Sequence, residues 1–318
     1  MSLRVAVQMD PLESINIAGD SSFALMLSAQ ARGHALFHYD VDSLTLDAND
    51  RLWALARPVE VRNVPGDHFT AGDPQRIDLG RDIDVVLMRQ DPPFHMGYIT
   101  ATHLLERIQH ETLVVNDPRS VRNSPEKVLV LNFREFMPPT LVTRSVDEAR
   151  RFQDEYGSVV VKPIHGNGGK AIFRIPENGE NISALFEIFN QNWPEPHMLQ
   201  PFLPEVAEGD KRIVLVDGEV AGAINRRPGK GEFRSNLAMG GSAEPTTLTA
   251  REQEICEAMG PVLKELGLIF VGIDVIGGKW LTEINVTSPT GIVAIDRFNG
   301  TDTAGRIWDA IEERLAAL

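Results

Sequence analysis

Cysteine is nearly absent from this sequence, since Cys256 is the single one among 318 residues. One cysteine excludes an intrachain disulfide, which is typical of proteins from a reducing compartment. Its place in a helical pattern predicts a small buried core residue and not a nucleophile. The chain also shows no basic-then-apolar leader and no apolar stretch long enough to span a bilayer. We therefore expect a cytoplasmic protein with no membrane partner.

Positive charge is also scarce. The chain has 31 Lys and Arg against 45 Asp and Glu, which gives a formal net charge of -14, and its sequence pI is about 5.0. The electrostatic field of a protein with this net negative charge repels nucleic acids and anionic membranes, so neither is expected as a partner. An anionic substrate would have to be held by local clusters of lysine and arginine. The length is sufficient for two or three domains with a substantial core.

The first part of the chain alternates apolar strands with helical segments. Strands are predicted at residues 4–9, 36–39, 83–88 and 113–116, with helices at 20–32 and 99–109. This alternation predicts a parallel, Rossmann-like α/β domain over roughly the first 120 residues. Ligands of such sheets lie beyond the carboxyl ends of the strands, where Asp10 and Arg89 are placed.

The pattern changes after residue 122. Asn-Asp-Pro at 116–118 and Asn-Ser-Pro at 123–125 indicate a boundary there. Beyond it, the predicted strands pair through hairpins. Strand 159–162 pairs with strand 172–175, and residues 213–224 form a second hairpin that turns at 217–218. Thr249 and Glu252 predict a capping box that opens a helix, and a last helix is predicted at 304–315. The second half is therefore expected to be α+β with antiparallel ribbons.

Two side chains whose oxygen atoms can bind a metal ion share one face of the predicted strand 281–286. Side chains alternate along a strand, so Glu283 and Asn285 point the same way. A Gly-Gly turn joins this strand to the preceding one, and a two-residue turn would place Asp274 opposite Leu281 on the same face. Such ligands suit Mg²⁺, which itself usually carries nucleotide phosphates. The alternative is the solvated polar face of an edge hairpin, and the hairpin alone supports both interpretations about equally.

A glycine-rich stretch occupies residues 165–170, between two predicted strands. It is not a P-loop, and it fails the dinucleotide fingerprint because Ala171 replaces the last glycine and a strand follows it. A glycine-rich hairpin that folds over nucleotide phosphates fits the pattern, since glycines let backbone N–H groups approach phosphate oxygens. A plain flexible turn is the alternative, and it would be favoured if the loop stood alone.

Basic residues accompany this loop along the chain. Lys127 precedes it, and Lys162 ends the strand that enters it. Residues 198–202 are interpreted as a crossing segment whose backbone would bind an adenine edge, or as a linker. Arginines, which bind phosphate and carboxylate bidentately, surround the next hairpin. The glycine-rich residues 228–241 that follow have the composition of a mobile lid, or of a disordered surface loop.

The order of these features resembles the ATP-grasp superfamily of carboxylate–amine ligases. Over nearly its full length the chain is similar to the bacterial glutathione synthetase family. The resemblance is carried by residues 9–11, 16–17, 20–24, 88–94, 209–212, 236–238 and 282–290. Two positions depart from the family pattern: His95 stands where an acidic residue is usual, and Gly291 where a cysteine is often found.

The resemblance implies a fold, an activity and an assembly. It implies a pre-ATP-grasp domain at 1–122, a small ATP-grasp subdomain at 123–203, and a C-terminal subdomain at 204–318 with a mobile loop at 228–241. The implied reaction joins γ-glutamylcysteine to glycine through an acyl phosphate, and it yields glutathione, ADP and phosphate. Two Mg²⁺ or Mn²⁺ ions would accompany ATP, and the protein would be a homo-oligomer, a tetramer by resemblance.

The resemblance also implies roles for individual residues. The metal ligands would be Asp274, Glu283 and Asn285. The nucleotide would be contacted by Lys127, Lys162, Gly166, Asn167, Gly168, Gly169, Gln200 and Lys211. The other substrates would be contacted by Asp10, Asn16, Arg89, Asp91, Asn236, Ser288, Pro289 and Thr290. The charge that develops during the reaction would be neutralised by Arg212, Arg226 and Arg234.

Two alternatives remain at this point. The first is another ATP-grasp ligase, such as a D-alanine–D-alanine ligase or an enzyme that adds glutamate to a protein C-terminus. The Asp-Pro at 10–11 and the Asp-Pro-Pro-Phe at 91–94 argue against it. The second is a nucleotide-binding module on the same fold that has lost catalysis. Five residues that such a module would not need to keep occur together here, which argues against that alternative: Lys162, Arg212, Asp274, Glu283 and Asn285.

Overall fold

A computed structural model of the chain describes residues 2–236 and 240–317. Part of the predicted lid and of the stretch 236–238 falls on residues 237–239, which lie outside the described residues. The strands are β1 Arg4–Gln8, β2 Ala35–Tyr39, β3 Thr45–Leu46, β4 Leu52–Val61, β5 Phe69–Ala71, β6 Gln75–Asp78, β7 Val85–Met88, β8 Leu113–Val115, β9 Leu141–Thr143, β10 Val159–Pro163, β11 Phe173–Ile175, β12 His197–Pro201, β13 Asp210–Val216, β14 Glu219–Arg227, β15 Ser242–Pro245, β16 Phe270–Ile276 and β17 Trp280–Asn285. The helices are α1 Ser21–Ala31, α2 Met96–Glu106, α3 Pro118–Asn123, α4 Glu126–Leu129, α5 Val146–Tyr156, α6 Ile182–Asn192, α7 Ala250–Glu265, α8 Ile292–Asn299 and α9 Thr303–Ala316.

The N-terminal sheet has a parallel centre and an antiparallel flank. Its main strand order is β3-β4-β2-β1-β7-β8, and β2, β1, β7 and β8 run parallel. The predicted α/β domain is thus confirmed. The prediction did not include β4, which runs antiparallel to β2 and pairs with β3, β5 and β6. Asp20 precedes helix α1 and caps it, since its carboxylate accepts a hydrogen bond from the Phe23 N–H, as the sequence indicates.

The remaining strands form two antiparallel sheets, with orders β11-β10-β12-β9 and β15-β14-β13-β16-β17. The first sheet, with α5 and α6, has its own hydrophobic core, which includes Val159, Val161, Phe186 and Phe189. The glycine-rich loop follows β10, so this separate lobe carries it. The predicted capping box of Thr249 and Glu252 is present at the start of α7. None of the helices in the described ranges has the length and apolarity needed to cross a membrane.

The hairpin of β16 and β17 differs in register from the prediction. Asp274 pairs with Glu283 and not with Leu281, because the turn holds residues 277–279 and the register shifts after Asp274. The shift is a β-bulge, which adds one residue to one strand and changes the alternation there. Leu281 consequently pairs with Val275 in the core, while Glu283 stays opposite Asp274. The expected common face of Asp274 and Glu283 is therefore present, although the predicted pairing is wrong.

The N-terminal sheet is attached to the C-terminal one by a buried asparagine. Asn116 follows β8, and its Nδ2 donates to the carbonyl oxygens of Phe270 and Val286 at 2.7 and 2.8 Å. Its Oδ1 accepts from the Phe270 N–H at 2.9 Å. One hydrophobic cluster also contains residues of both sheets, such as Val86 and Ile273. These contacts place the carboxyl ends of the parallel strands beside the β16–β17 hairpin.

Candidate functional site

A cavity of about 230 Å³ lies between the N-terminal sheet, the glycine-rich loop and the C-terminal sheet. Every one of these three parts contributes side chains that the sequence singled out. The predicted residues that line it are Asp91, Asn167, Gly168, Arg212, Arg226, Asn236, Glu283, Asn285, Ser288, Pro289 and Thr290. The fold thus brings together residues that are up to about two hundred positions apart in sequence.

A second, more apolar cavity of about 90 Å³ adjoins the first. It shares Asn236 and Glu283 with the larger cavity. Its other walls come from the lobe with the glycine-rich loop and from β16, and they combine Lys162 and Gln200 with apolar side chains such as Phe202 and Ile276. A largely apolar cavity with a lysine in its lining can hold an aromatic base and the first part of a phosphate chain.

A buried ionic network connects β13, β14 and β16. Arg212 donates from Nε and Nη2 to the two carboxylate oxygens of Asp274, at 2.6 and 3.1 Å. Arg226 donates from Nε to Asp210 at 2.6 Å, and its Nη2 lies 2.9 Å from Asp274 Oδ1. The four side chains come together because residues two apart on an antiparallel strand share a face, and Arg212 pairs across the sheet with Asp274.

The pKa values of the two carboxyl groups in this network are shifted in opposite directions. Burial opposes the ionisation of Asp274, but Arg212 and Arg226 outweigh it and hold the pKa of this carboxyl well below its usual range. Burial raises the pKa of Asp210, with Arg226 opposing the rise. Burial would lower the pKa of Arg226, but Asp210 and Asp274 raise it. Asp274 is therefore the firmly ionised member that keeps both arginines in place.

Two buried lysines meet Glu283 at the junction of the cavities. The ammonium nitrogens of Lys127 and Lys162 lie 3.2 and 3.9 Å from Glu283 Oε1. Lys127 also donates to the carbonyl oxygen of Gly166 in the glycine-rich loop. Burial lowers the pKa of Lys162 to about 8, and Glu283 partly offsets this effect. A cluster of two lysines and one carboxylate can exchange the carboxylate for phosphate oxygens when a nucleotide enters.

Asn285 is oriented by its amide hydrogens. Its Nδ2 lies 3.2 Å from the carbonyl oxygen of Gly272 and 3.4 Å from Asp274 Oδ2. Its Oδ1 is therefore the atom left for a cation in the cavity that it lines with Glu283. Carboxylate and carboxamide oxygens fit Mg²⁺, whereas both oxygens of Asp274 are already bound by arginine. Within the described ranges no group of three His, Cys, Asp or Glu side chains is arranged around a metal site.

The N-terminal residues follow the strand ends as predicted, with different degrees of exposure. Asp10 Oδ2 accepts a hydrogen bond from the Asp91 N–H at 2.9 Å. Arg89 is buried, and it donates from Nε to Ser22 Oγ and from Nη2 to the carbonyl oxygen of Pro289, both at 2.9 Å. Arg89 thus holds the segment 288–290 against the N-terminal sheet. Asn16 is exposed, accepts from the Ala18 N–H, and is not among the residues that line either cavity.

Two basic residues have positions that the sequence pattern did not indicate. Lys211 lies on the opposite face of β13 from Arg212, and its ammonium donates to Glu252 Oε2 at 2.6 Å. It does not line either cavity, so the predicted nucleotide contact has no support in this placement. Arg234 donates to the carbonyl oxygen of Gly169 at 3.0 Å. The loop that carries it therefore touches the glycine-rich loop across the apolar cavity.

The two departures from the family pattern have local structural explanations. The Nδ1 atom of His95 accepts a hydrogen bond from the Tyr98 N–H at 3.1 Å, so His95 caps α2. Gly291 precedes α8 and has a φ of 115°. Residues with a side chain rarely adopt this backbone conformation. A Cβ atom there would also lie 3.4 Å from Arg212 Cγ.

Some side chains of the site were not in the predicted set. Glu126 lines the larger cavity, and Asp210 and Phe233 line the smaller one. Strand alternation could have indicated Asp210, since it stands two residues before Arg212. Glu126 directly precedes Lys127 in Pro-Glu-Lys, but the local pattern does not indicate that Glu126 faces the cavity.

Known proteins resemble the chain over its whole length. Residues 3–122 match the prokaryotic glutathione synthetase N-terminal domain, and residues 126–300 match the prokaryotic glutathione synthetase ATP-grasp domain. The glutathione synthetase of Rhodopseudomonas palustris is 57% identical over 316 residues, which cover 99% of this chain and 100% of the relative. That of Bradyrhizobium diazoefficiens is 56% identical over the same length and shares.

Solved structures with lower identity share the fold. The D-cycloserine synthetase DcsG superimposes with a TM-score of 0.69 at 17% identity, covering 98% of this chain and 99% of that chain. A RimK domain protein ATP-grasp from Sphaerobacter thermophilus superimposes with a TM-score of 0.65 at 18% identity, covering 96% and 98%.

The matches confirm the predicted resemblance and enzyme class. The identities above 50% extend across both matched domains, so they concern the whole chain and not one module. The ATP-grasp family uses Mg-ATP, in agreement with the oxygen ligands and lysines described above. The chain belongs to the prokaryotic glutathione synthetase family of ATP-grasp ligases.

Proposed function

We propose that the larger cavity is where γ-glutamylcysteine is joined to glycine with ATP as the phosphoryl donor. The observation that carries the proposal is the cluster at the junction of the two cavities, where buried Lys127 and Lys162 meet Glu283. The smaller, more apolar cavity beside it, lined by Gln200 and Phe202, suits the base of the nucleotide. The phosphates would then extend toward the lysines and the glycine-rich loop.

Glu283 and Asn285 are the side chains that would hold the cation, with Asp274 as the predicted third ligand. Bound there, the ions would neutralise charge on the β- and γ-phosphates. The use of two ions, Mg²⁺ or Mn²⁺, stays a prediction. Asp274 already binds two arginines, so its first contribution is to fix their positions.

The carboxylate of the dipeptide's cysteine would attack the γ-phosphorus, and an acyl phosphate and ADP would form. Glycine's amine would then attack the acyl carbon, the bond from this carbon to the phosphate oxygen would break, and phosphate would leave. Arg212 and Arg226 are held beside this place and would stabilise the charge that develops on the phosphoryl oxygens. Asp91 and the segment 288–290 line the same cavity and would position the dipeptide.

Water must be excluded, because it would hydrolyse the acyl phosphate. Arg234 supports a closing role for its loop, since its guanidinium already reaches the carbonyl oxygen of Gly169 in the opposite lobe. The predicted division into domains 1–122, 123–203 and 204–318 accords with these roles and stays a prediction. So do a homotetrameric state, which light scattering would measure, and a cytoplasmic location, which cell fractionation would measure.

Release of ADP with γ-glutamylcysteine, with and without glycine, tests the proposed reaction. We expect ADP release to depend on glycine and to be accompanied by glutathione. Release supported by D-alanine or by another acceptor in place of glycine would indicate a different ligase. Binding of ATP with no turnover on any acceptor would indicate a non-catalytic nucleotide-binding protein.

A further inference from the structure

The carboxylates of the larger cavity are Asp91, Glu126 and Glu283, and Asp274 lines the smaller cavity beside it. Asp274 and Glu283 each have two basic partners, arginines for the first and lysines for the second. Asp91 and Glu126 line the larger cavity together with Glu283. Neither has a Lys, Arg or His within ion-pair distance among residues 2–236 and 240–317. The proposed reaction brings two ammonium groups into this cavity, one on the γ-glutamyl residue and one on glycine.

Glu126 is held at the end of the cavity where the chemistry would occur. Thr287 Oγ1 donates to its Oε1 at 2.8 Å, and Thr287 stands two residues after Asn285. The neighbouring Lys127 reaches Glu283 at 3.2 Å. The hydrogen bond from Thr287 therefore orients the Glu126 carboxylate through Oε1. Its other oxygen, Oε2, has no hydrogen-bond partner in the described part of the chain.

Asp91 lines the cavity from the loop that follows β7 in the N-terminal domain. Its backbone is bound to Asp10, and burial, followed by the charge of Asp10, raises the pKa of Asp91. The acidic pair of Asp10 and Asp91 is suited to a cation that arrives at this wall. In γ-glutamylcysteine the ammonium group is at the opposite end from the carboxylate that is activated, so it belongs far from the phosphates. Glycine's nitrogen must instead reach the activated carbon beside them.

We infer that Glu126 binds the ammonium group of the incoming glycine and thereby positions its nitrogen beside the acyl phosphate. This inference rests on the proposed function. Burial raises the pKa of Glu126, with Lys127 opposing the rise, so an arriving cation would offset the penalty of an ionised carboxylate there. The ammonium group of glycine must lose a proton before its nitrogen can attack the acyl carbon, and the carboxylate of Glu126 that binds this group can accept that proton.

Glu126→Gln tests this role, because glutamine keeps the shape and the acceptor for Thr287 but removes the charge. A charge-assisted hydrogen bond contributes about 1.5–3 kcal/mol, so we expect the KM for glycine to rise by about 10- to 100-fold. The KM values for ATP and γ-glutamylcysteine should stay within about twofold of wild type. Hydroxylamine, a nucleophile that is neutral at pH 7, should form the hydroxamate at an unchanged rate.

Two further variants serve as controls. Glu148→Gln removes an exposed carboxylate on α5, remote from the cavity, and should leave all three KM values unchanged. Asp91→Asn should show the reciprocal pattern, a higher KM for γ-glutamylcysteine with little effect on that for glycine. If Glu126→Gln does not fold, Glu126→Asp keeps the charge with a shorter reach and should give a smaller increase in the KM for glycine.

Several results would overturn the inference. One is an unchanged KM for glycine in Glu126→Gln. Another is a variant that needs more Mg²⁺ for turnover but has a normal KM for glycine, which would make Glu126 a cation ligand. Equal losses with glycine and hydroxylamine would point to a purely structural role. A wild-type protein without glycine-dependent turnover would instead refute the proposed function itself, so the two failures are distinguishable.

Discussion

Replacement of Asp274 by asparagine would show how strongly the buried ionic network contributes to stability. The substitution removes one negative charge and preserves the side-chain shape. Asp274 Oδ1 lies 2.6 Å from Arg212 Nε and 2.9 Å from Arg226 Nη2. The side chains of all three residues are at most 7% exposed, so water screens these charges little.

The expected loss follows from the partners that remain. In Asp274→Asn, Arg212 would have no carboxylate within ion-pair distance in the described ranges, whereas Arg226 would keep Asp210 at 2.6 Å. A buried charge left without its partner costs about 3–5 kcal/mol. We expect the free energy of unfolding to fall by that amount at neutral pH. In the matched control Asp210→Asn both arginines keep Asp274, and the expected loss is about 2 kcal/mol.

The difference between wild type and Asp274→Asn should depend on pH. Burial opposes ionisation of Asp274, but Arg212 and Arg226 hold its pKa well below the unfolded value, which is about 3.9. A carboxylate of this kind stabilises the fold above its unfolded pKa, and the effect is lost as the pH falls through the folded-state pKa. The difference should therefore be constant from about pH 5 to pH 8 and become smaller in acid.

Urea unfolding of the metal-free protein, followed by circular dichroism at several pH values, measures both quantities. The reasoning would be refuted if Asp274→Asn lost less than about 1 kcal/mol at neutral pH. It would also be refuted if Asp210→Asn lost more than Asp274→Asn, or if the difference between wild type and Asp274→Asn grew in acid.

Further expectations concern the nucleotide and metal side of the site. Since burial lowers the pKa of Lys162 to about 8, ATP affinity measured by calorimetry should fall as the pH rises through that value, and Lys162→Arg should remove this dependence. A Cβ atom at Gly272 would lie 3.1 Å from Arg212 Cδ, so Gly272→Ala should lower kcat by roughly 10- to 100-fold. Its thermal unfolding should change little, and a normal kcat would contradict the role of Arg212. Glu283→Ala should abolish Mg²⁺-dependent turnover with an unaltered circular dichroism spectrum, whereas activity near wild type would remove Glu283 from the ligand set.

Much of this site was predictable from local pattern. Glu283 and Asn285 share a face because strand side chains alternate, and both line the larger cavity. The capping box at Thr249 needed only two residues at the correct spacing. The glycine-rich loop was identified by its composition, and Lys162 by its place at the end of the strand before it. Whether these residues hold ATP and its cation stays a prediction.

Other features could not be predicted because they depend on which strands meet. The three-residue turn at 277–279 and the register shift after Asp274 together change its partner from Leu281 to Glu283, and nothing in the local sequence marks either feature. Lys211 faces Glu252, which an isolated strand pattern cannot distinguish from facing the cavity.

Taken alone, the sequence determined the elements, their order and the residue types that can bind phosphate and a hard cation, because these follow from periodicity and side-chain chemistry. It also determined the family, through motifs along nearly the whole chain. Tertiary structure decided which charges are paired and which are free. Arg89 reaches Pro289, two hundred residues away, and Glu126 faces the cavity with no basic partner in the described ranges. Such contacts arise only when separate sheets pack together, since the partners of a buried charge are set by distance in space and not along the chain.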